Sequence, residues 1–279
     1  MASPEFWSGY PHPSEPEDNL CKDRGLPDGL FRGSRRRDGK KVVIKAVHID
    51  SRELDVIRYL SSPLLSTHPA NHTIHIVELR EESRAFIIQD EWNSSFAHCA
   101  PSTPRAFLYA VRQCLEGIII VSHGLDFMHS HNIAHLDISR SNILTNCFGA
   151  YAYIDFELSR RFPPTFSSDA PIPTICCPRG TEIPPEAERG DATCPFKTDI
   201  WALGVTLLRA CKAAGFEIPG LVPFIQPMLN ESPRNRPSTR VLLHHFDQIF
   251  MLDKGRERDR EKSSTPMYTK RQSIAIPTR

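Results

Sequence analysis

No stretch of the sequence is apolar for the roughly 18 consecutive residues that a membrane-spanning helix needs. The richest run, Gly117 to Leu125, is broken by Ser122, His123 and Gly124. A basic start followed by an apolar core is also missing, which excludes a secretory signal at the N-terminus. Charge of one sign is lacking: 34 Lys and Arg face 33 Asp and Glu. The chain therefore has no overall basic footprint for nucleic acid. None of the eight cysteines forms a C-x-x-C pair. Neither they nor the histidines show the paired spacing of zinc ligands, so the cysteines read as reduced thiols of an intracellular protein, cytoplasmic or nuclear. There is no internal repeat. Proline, by contrast, is abundant at 24 residues, which predicts many loops and turns.

What is present divides the chain in three. Residues 1–20 are rich in Pro, Ser and acid and are expected to be irregular. Residues 253–279 carry dense charge and few large apolar groups, too little to offset ordering entropy, and are expected to be a disordered tail. The globular part is then 21–252. Its first portion reads as strands. Lys41 to Val47 is apolar and β-branched after a turn at Asp38-Gly39, and Leu30-Phe31-Arg32 is placed to pair across that turn. Ile74 to Leu79 and Ala85 to Gln89 are further short strands. Asp50-Ser-Arg-Glu53 has the form of a capping box opening a helix from Ser51 to about Leu60. Beyond Pro104, Phe107, Val111, Leu115, Ile118, Leu125 and Met128 predict a helix over 105–130. Ile143-Leu144 and Tyr151 to Ile154 flank a turn and form a hairpin. Thr198 to Lys212 reads as a buried helix, and Ser238 as the N-cap of a last one, 239–251. Strands first and helices later predict an α+β fold of two lobes, about 21–91 and about 92–252.

The chemistry gathers around the hairpin. Asp137 and Asn142 precede its first strand and Asp155 follows its second, so the three can converge. Two carboxylates and an amide oxygen suit Mg²⁺ and the orientation of a hydroxyl. Lys45, in an apolar strand, needs an anionic partner, either Glu53 or a phosphate. Glu53 either pairs with it or caps the amide of Asp50. His129, His131 and His135 lie close together, and packing rather than zinc binding is the reading taken for them.

This constellation resembles the eukaryotic protein kinase superfamily, from about Val42 to Phe246. Val43-Ile44-Lys45 looks like the phosphate-holding strand lysine. His135-Leu-Asp137 with Asn142 looks like the catalytic loop, and Asp155-Phe156 like the start of the activation segment. Gly180-Thr181 and Pro184-Pro185-Glu186 look like that segment's end. Asp199 to Gly204 looks like the helix that anchors the catalytic loop, and Arg236 like the partner of Glu186. Arg58-Tyr-Leu-Ser-Ser62, Phe127-Met-His129 and Pro195-Phe-Lys-Thr-Asp199 are similar to fungal protein-kinase-like sequences.

The resemblance implies a bilobal fold and transfer of the γ-phosphoryl of ATP to Ser/Thr hydroxyls of a protein substrate; the lack of a long apolar run and of a basic excess predicts no membrane or nucleic-acid partner. Asp137 would orient the hydroxyl and accept its proton. Asn142 and Asp155 would hold Mg²⁺, and Lys45 with Glu53 the nucleotide phosphates. Four departures stand beside it. Gly25 to Phe31 is the nearest segment to a glycine-rich phosphate loop and is not G-x-G-x-x-G. Leu136 replaces the loop's arginine. Ser139 replaces its lysine; Arg140 next to it either substitutes as a cation or points away. Glu157 replaces the glycine after Asp155-Phe156. These departures motivate an alternative, a pseudokinase acting as a binding module. Cys176-Cys177 falls in the activation segment and reads as an inert pair.

Overall fold

The computed structural model describes residues 7–8, 29–74, 76–81, 84–92, 94–99, 101–118, 127–146, 148–163, 174–175 and 179–251. Gly25 to Asp28, Cys176-Cys177, the charged tail and all of 1–20 but Trp7 and Ser8 lie outside the described residues.

The first lobe is built on an antiparallel sheet of five strands in the order β1-β2-β3-β5-β4. These are β1 (Trp7–Ser8), β2 (Leu30–Arg35), β3 (Lys41–Val47), β4 (Ile76–Glu81) and β5 (Ala85–Asp90). The expected pairing across Asp38-Gly39 is present, with Leu30 opposite Lys45. Lys45 also faces Ile87 of β5 and Val43 faces Gln89, so β3 runs through the middle of the sheet. Helix α1 (Arg52–Leu60) follows β3 directly. Its N-cap is Ser51, whose hydroxyl accepts from the Leu54 amide at 3.2 Å. The Asp50–Glu53 capping box is not formed. With Ser51 as cap, Leu54 takes the third helical position and Glu53 the second, which frees the Glu53 side chain to turn inward. Leu54, Ile57 and Leu60 recur at helical spacing and are buried. A short helix α2 (Pro63–Ser66) completes this lobe.

The second lobe is mainly helical. Strand β6 (Ser94–Ser95) leads to α3 (Pro104–Ile118), which buries Phe107, Val111 and Leu115. Of the helix expected over 105–130, α3 covers residues up to Ile118 and α4 (Phe127–Ser130) the last turn; residues 119–126 lie outside the described residues. Then come β7 (Ile133–Ala134), the hairpin β8 (Ile143–Thr145) and β9 (Tyr151–Tyr153), and β10 (Arg160–Arg161), which pairs with β7. After α5 (Pro185–Glu188), the buried helix α6 (Pro195–Ala214) stops at Gly215, whose φ of 68° is the left-handed conformation of a C-cap glycine. Helix α7 (Leu221–Ile225) precedes α8 (Thr239–Phe246), whose cap Ser238 accepts from the Val241 amide at 3.4 Å. One apolar cluster runs from Val47 and Leu54 through Phe107, Phe127 and Leu203 to Phe246, so the two lobes share a continuous core.

Candidate active site

A cavity of about 630 Å³ lies between the sheet and the β8–β9 hairpin. Leu30 and Val43 line it from the sheet and Leu144 from the hairpin. Lys45, Glu53, Asn142, Asp155 and Glu157 line its polar end. The β3–β5 register carries Gln89 to Trp92 away from Lys45, so these residues line the opposite end.

At the polar end the Lys45 Nζ donates to Glu53 Oε1 at 2.8 Å and to Asp155 Oδ1 at 2.9 Å. The ion pair is therefore the outcome for Glu53, which is 5% exposed. Burial pulls the lysine's pKa down, but the two carboxylates outweigh it and hold it above its ordinary value. Burial raises Glu53, and Lys45, shared with Asp155, offsets only part of that rise. Asp155 has a φ of 64°, a left-handed backbone that turns the chain sharply after β9. Phe156 is buried against the His135 ring, centroids 5.1 Å apart.

The loop between β7 and β8 is held from below. Asp199 of α6 is fully buried and accepts from the backbone amides of His135 at 2.8 Å and Leu136 at 2.7 Å. His129 Nε2 bonds the same carboxylate at 2.9 Å. The His135 ring bonds the Ile154 carbonyl at 3.0 Å, tying the loop to the end of β9. Burial pushes the pKa of His135 down. These contacts fix Asp137. Its Oδ2 accepts from Asn142 Nδ2 at 2.9 Å, and its Oδ1 from the Thr181 amide at 2.7 Å and hydroxyl at 3.0 Å. Asn142 Nδ2 also donates to the Asp137 carbonyl at 2.9 Å. With its NH₂ group so engaged, Asn142 turns its Oδ1 the other way, as an acceptor.

Ser139 is 3% exposed and its hydroxyl accepts from the Asn142 amide at 3.3 Å. It closes the loop and does not line the cavity. Arg140 is half-buried and also off the cavity wall; its charge acts on Glu182, a carboxylate paired with Arg209 beside Thr181. Glu157 is exposed and lines the cavity. Of the Gly25 to Phe31 segment, Gly29, Leu30 and Phe31 are described, and the Gly29 carbonyl accepts from the Ala46 amide at 2.8 Å. Gly29 thus stands at the entry to β2 as part of the sheet.

Below the site, Arg236 is buried and gives Glu186 two bonds, at 2.7 and 2.6 Å. Thr193 donates to the same carboxylate at 2.9 Å. Burial alone would raise Glu186; the guanidinium outweighs it and holds it below the ordinary range.

Asn142 Oδ1 and the Asp155 carboxylate are hard oxygen donors on one wall of the cavity, a set that fits Mg²⁺. Among the described residues, no group of three or more His, Cys, Asp or Glu side chains forms a metal cage. Two protein oxygens completed by substrate phosphates is the usual arrangement for this ion.

The sequence model of the protein kinase domain matches residues 29–217. The chain belongs to the protein kinase family. It is 28% identical over 188 residues to the dual specificity protein kinase FUZ7 of Mycosarcoma maydis, covering 62% of this chain and 38% of that protein. It is 24% identical over 238 residues to the serine/threonine-protein kinase Nek5 of Homo sapiens, covering 75% of this chain and 33% of that protein. To cyclin-dependent kinase C-2 C of Arabidopsis thaliana it is 23% identical over 186 residues, 65% of this chain and 28% of that protein. The matched stretch is thus about a third of the length of these relatives. The family match agrees with the α+β fold of two lobes.

Sequence reasoning had no hold on some features of this kinase-family site. Thr181 is named there as part of a motif, but not as a partner of Asp137. The Arg32–Glu91 pair, 2.9 Å apart at the cavity's far end, joins strands that sequence spacing does not bring together. The alternation of β2 and β5 could have put both residues on one face, though not in register.

Proposed function

We propose that this protein kinase-family chain transfers the γ-phosphoryl of ATP to Ser/Thr hydroxyls of protein substrates. The observation that carries the reading is the ammonium of Lys45 held between Glu53 and Asp155, on the same cavity wall as Asn142. Lys45 is charged, fixed in direction and faces the space where nucleotide phosphates would lie. Glu53 holds it there from α1. Leu30, Val43 and Leu144 supply apolar walls for a base. Mg²⁺, held by Asn142 and Asp155 with the phosphates, would offset the charge that develops on the transferring group.

Asp137 receives the substrate hydroxyl. Its carboxylate is pinned by Asn142 and Thr181, so it presents a fixed acceptor that orients the hydroxyl and takes its proton late in the transfer. In this reading Ser139 shapes the loop, and Arg140 supplies positive charge beside it. The catalytic contribution is positioning and electrostatics, which such loosely bonded phosphoryl transfer requires. The similarity to the serine/threonine-protein kinase Nek5 supports Ser/Thr as the acceptor type.

The test is transfer of γ-labelled phosphate from Mg-ATP to a generic basic protein, beside the Asp137→Asn variant. Transfer lost in the variant, with its melting temperature unchanged, supports the assignment. Retained transfer would sink Asp137 as base. The second reading, a pseudokinase that signals by contact, is favoured by one observation: Glu157 adds a carboxylate to the cavity where the metal and phosphates would gather. Melting with and without Mg-ATP separates the two. Ligand at 100 times its dissociation constant stabilises by about 2.7 kcal/mol, and a pseudokinase that has lost the nucleotide shows no shift.

A further inference from the structure

We propose that Tyr59 and Arg161 form a clasp that holds α1, and with it Glu53, in the position that Lys45 requires. The inference rests on the kinase reading above for its catalytic consequence, but the clasp itself is a matter of geometry.

Glu53 reaches Lys45 only while α1 keeps its present place. The buried side of the helix, Leu54, Ile57 and Leu60, is apolar, and such packing tolerates sliding and rotation. A second side of the helix is tied in a directed way. Asp55 and Tyr59 are four residues apart and so share a face. Both meet Arg161. Its guanidinium carbon lies 3.8 Å from the centroid of the Tyr59 ring, and its Nη1 lies 4.0 Å from Asp55 Oδ1. A guanidinium over an aromatic face is attracted by the ring's negative quadrupole. The Tyr59 hydroxyl is 3.1 Å from His131 Nδ1, and the two rings stand edge to face. His131 in turn stands edge-on to the buried Phe127 ring.

The two halves of this contact belong to different lobes. Tyr59 is carried by α1. Arg161 is carried by β10, whose backbone is fixed by the β7 pairing, with Arg161 opposite Ile133, and by the bond from the Phe162 amide to the Asn132 carbonyl at 2.8 Å. β10 begins five residues after Asp155. The clasp therefore links the helix that carries Glu53 to the segment that carries Asp155, and Lys45 bonds both carboxylates. Tyr59 and Arg161 touch neither cavity nor substrate; they are positioning residues.

A clasp differs from plain packing in what rescues it. Tyr59→Leu keeps an apolar side chain and removes the quadrupole. Tyr59→Phe keeps the ring and removes only the hydroxyl. Arg161→Met keeps length and removes charge. The experiment measures Mg-ATP affinity by melting, the KM for ATP against kcat, and hydrogen exchange of the α1 amides, all on the full chain. Tyr59→Leu and Arg161→Met should each weaken Mg-ATP about threefold to tenfold and speed α1 exchange. Tyr59→Phe should stay within about twofold of the wild type. The Tyr59→Leu/Arg161→Met double variant should lose less than the two single effects combined, because both remove the shared Tyr59–Arg161 contact while each also gives up one of its own, to His131 and to Asp55. The KM for the protein substrate should not move. Tyr59→Leu behaving as Tyr59→Phe in both affinity and exchange would overturn the clasp and leave simple packing. A wild type that neither binds nor transfers phosphate would instead overturn the kinase reading, while faster α1 exchange confined to Tyr59→Leu and Arg161→Met would still support the clasp.

Discussion

His129, His131 and His135 are near neighbours in the sequence, yet each ring turns to a different partner: Asp199, the Tyr59 hydroxyl and the Ile154 carbonyl. Their proximity along the chain carries no information about a shared ligand, because a turn at Asn132, with φ of 57°, redirects the backbone between them. The rings have a pH consequence. Burial lowers the pKa of His135, and burial with the nearby charges of His68 and Arg161 lowers that of His131. Both take up protons less readily in the folded chain than in the unfolded one. The unfolded state therefore binds more protons below about pH 6.5, and stability falls as pH drops through that value. Melting at pH 7.5 and pH 5.5 checks this, and a His135→Gln variant should lose less on acidification than the wild type. Gly180 sets a second single-residue constraint. Its φ is 134°, and a Cβ there would come within 2.5 Å of the Leu136 carbonyl. Gly180→Ala must push the Thr181 segment of the site away from Asp137, so transfer should fall at least tenfold while the chain remains folded by circular dichroism. Wild-type rates in that variant would mean that the Thr181–Asp137 contact is dispensable.

At the scale of elements, periodicity and turn chemistry made most of the fold legible. The β8–β9 hairpin and the buried helix around Trp201 fall where apolar alternation and helical spacing put them. Helix α6 extends beyond Thr198 and Lys212 because Pro195 at its first turn and Gly215 at its end set the limits. The β1–β2 pairing was not legible: Trp7 meets Arg35 across a long separation, and a two-residue strand has no period to read. Helix α1 shows how a local rule misleads at a functional element. Asp50-Ser-Arg-Glu53 satisfies the capping-box pattern, but a buried Lys45 has greater need of Glu53 than an exposed helix end does, so the cap passes to Ser51. Removing that cap is a clean test of the assignment. Ser51→Ala should cost about 1 kcal/mol in chemical denaturation, whereas Asp50→Ala should cost little. The reverse order would restore Asp50 as the cap.

At the scale of the whole molecule, the site depends on buried charges that connect it to the base of the second lobe. From α6, Asp199 holds the loop that carries Asp137, and Arg236 holds Glu186 at the far end of the segment that carries Thr181. The candidate site was legible in part: Asp137, Asn142 and Asp155 were findable because hairpin topology brings their ends together, and Lys45 because a charge in an apolar strand needs a partner, while the Thr181–Asp137 and Tyr59–Arg161 contacts were not, since no spacing rule joins residues 44 or about 100 positions apart. The Glu186–Arg236 pair allows the connection to be tested by stability alone. Arg236 is 1% exposed and is satisfied not only by Glu186 but by the carbonyls of Lys197 and Asn230 and by the face of Trp201. Deleting one charge strands the other in the core, which costs about 3–5 kcal/mol, whereas replacing both with apolar residues removes the desolvation penalty along with the attraction. Glu186→Gln and Arg236→Met should therefore each lower the melting temperature by about ten degrees in a chain of this size, and the double variant Glu186→Leu/Arg236→Met should lose less than the sum of the two. If the double variant melts near wild type but no longer transfers phosphate, the pair serves to place the Thr181 segment over Asp137. If it melts near wild type and transfers normally, the Asp199 anchor alone is enough to order the site.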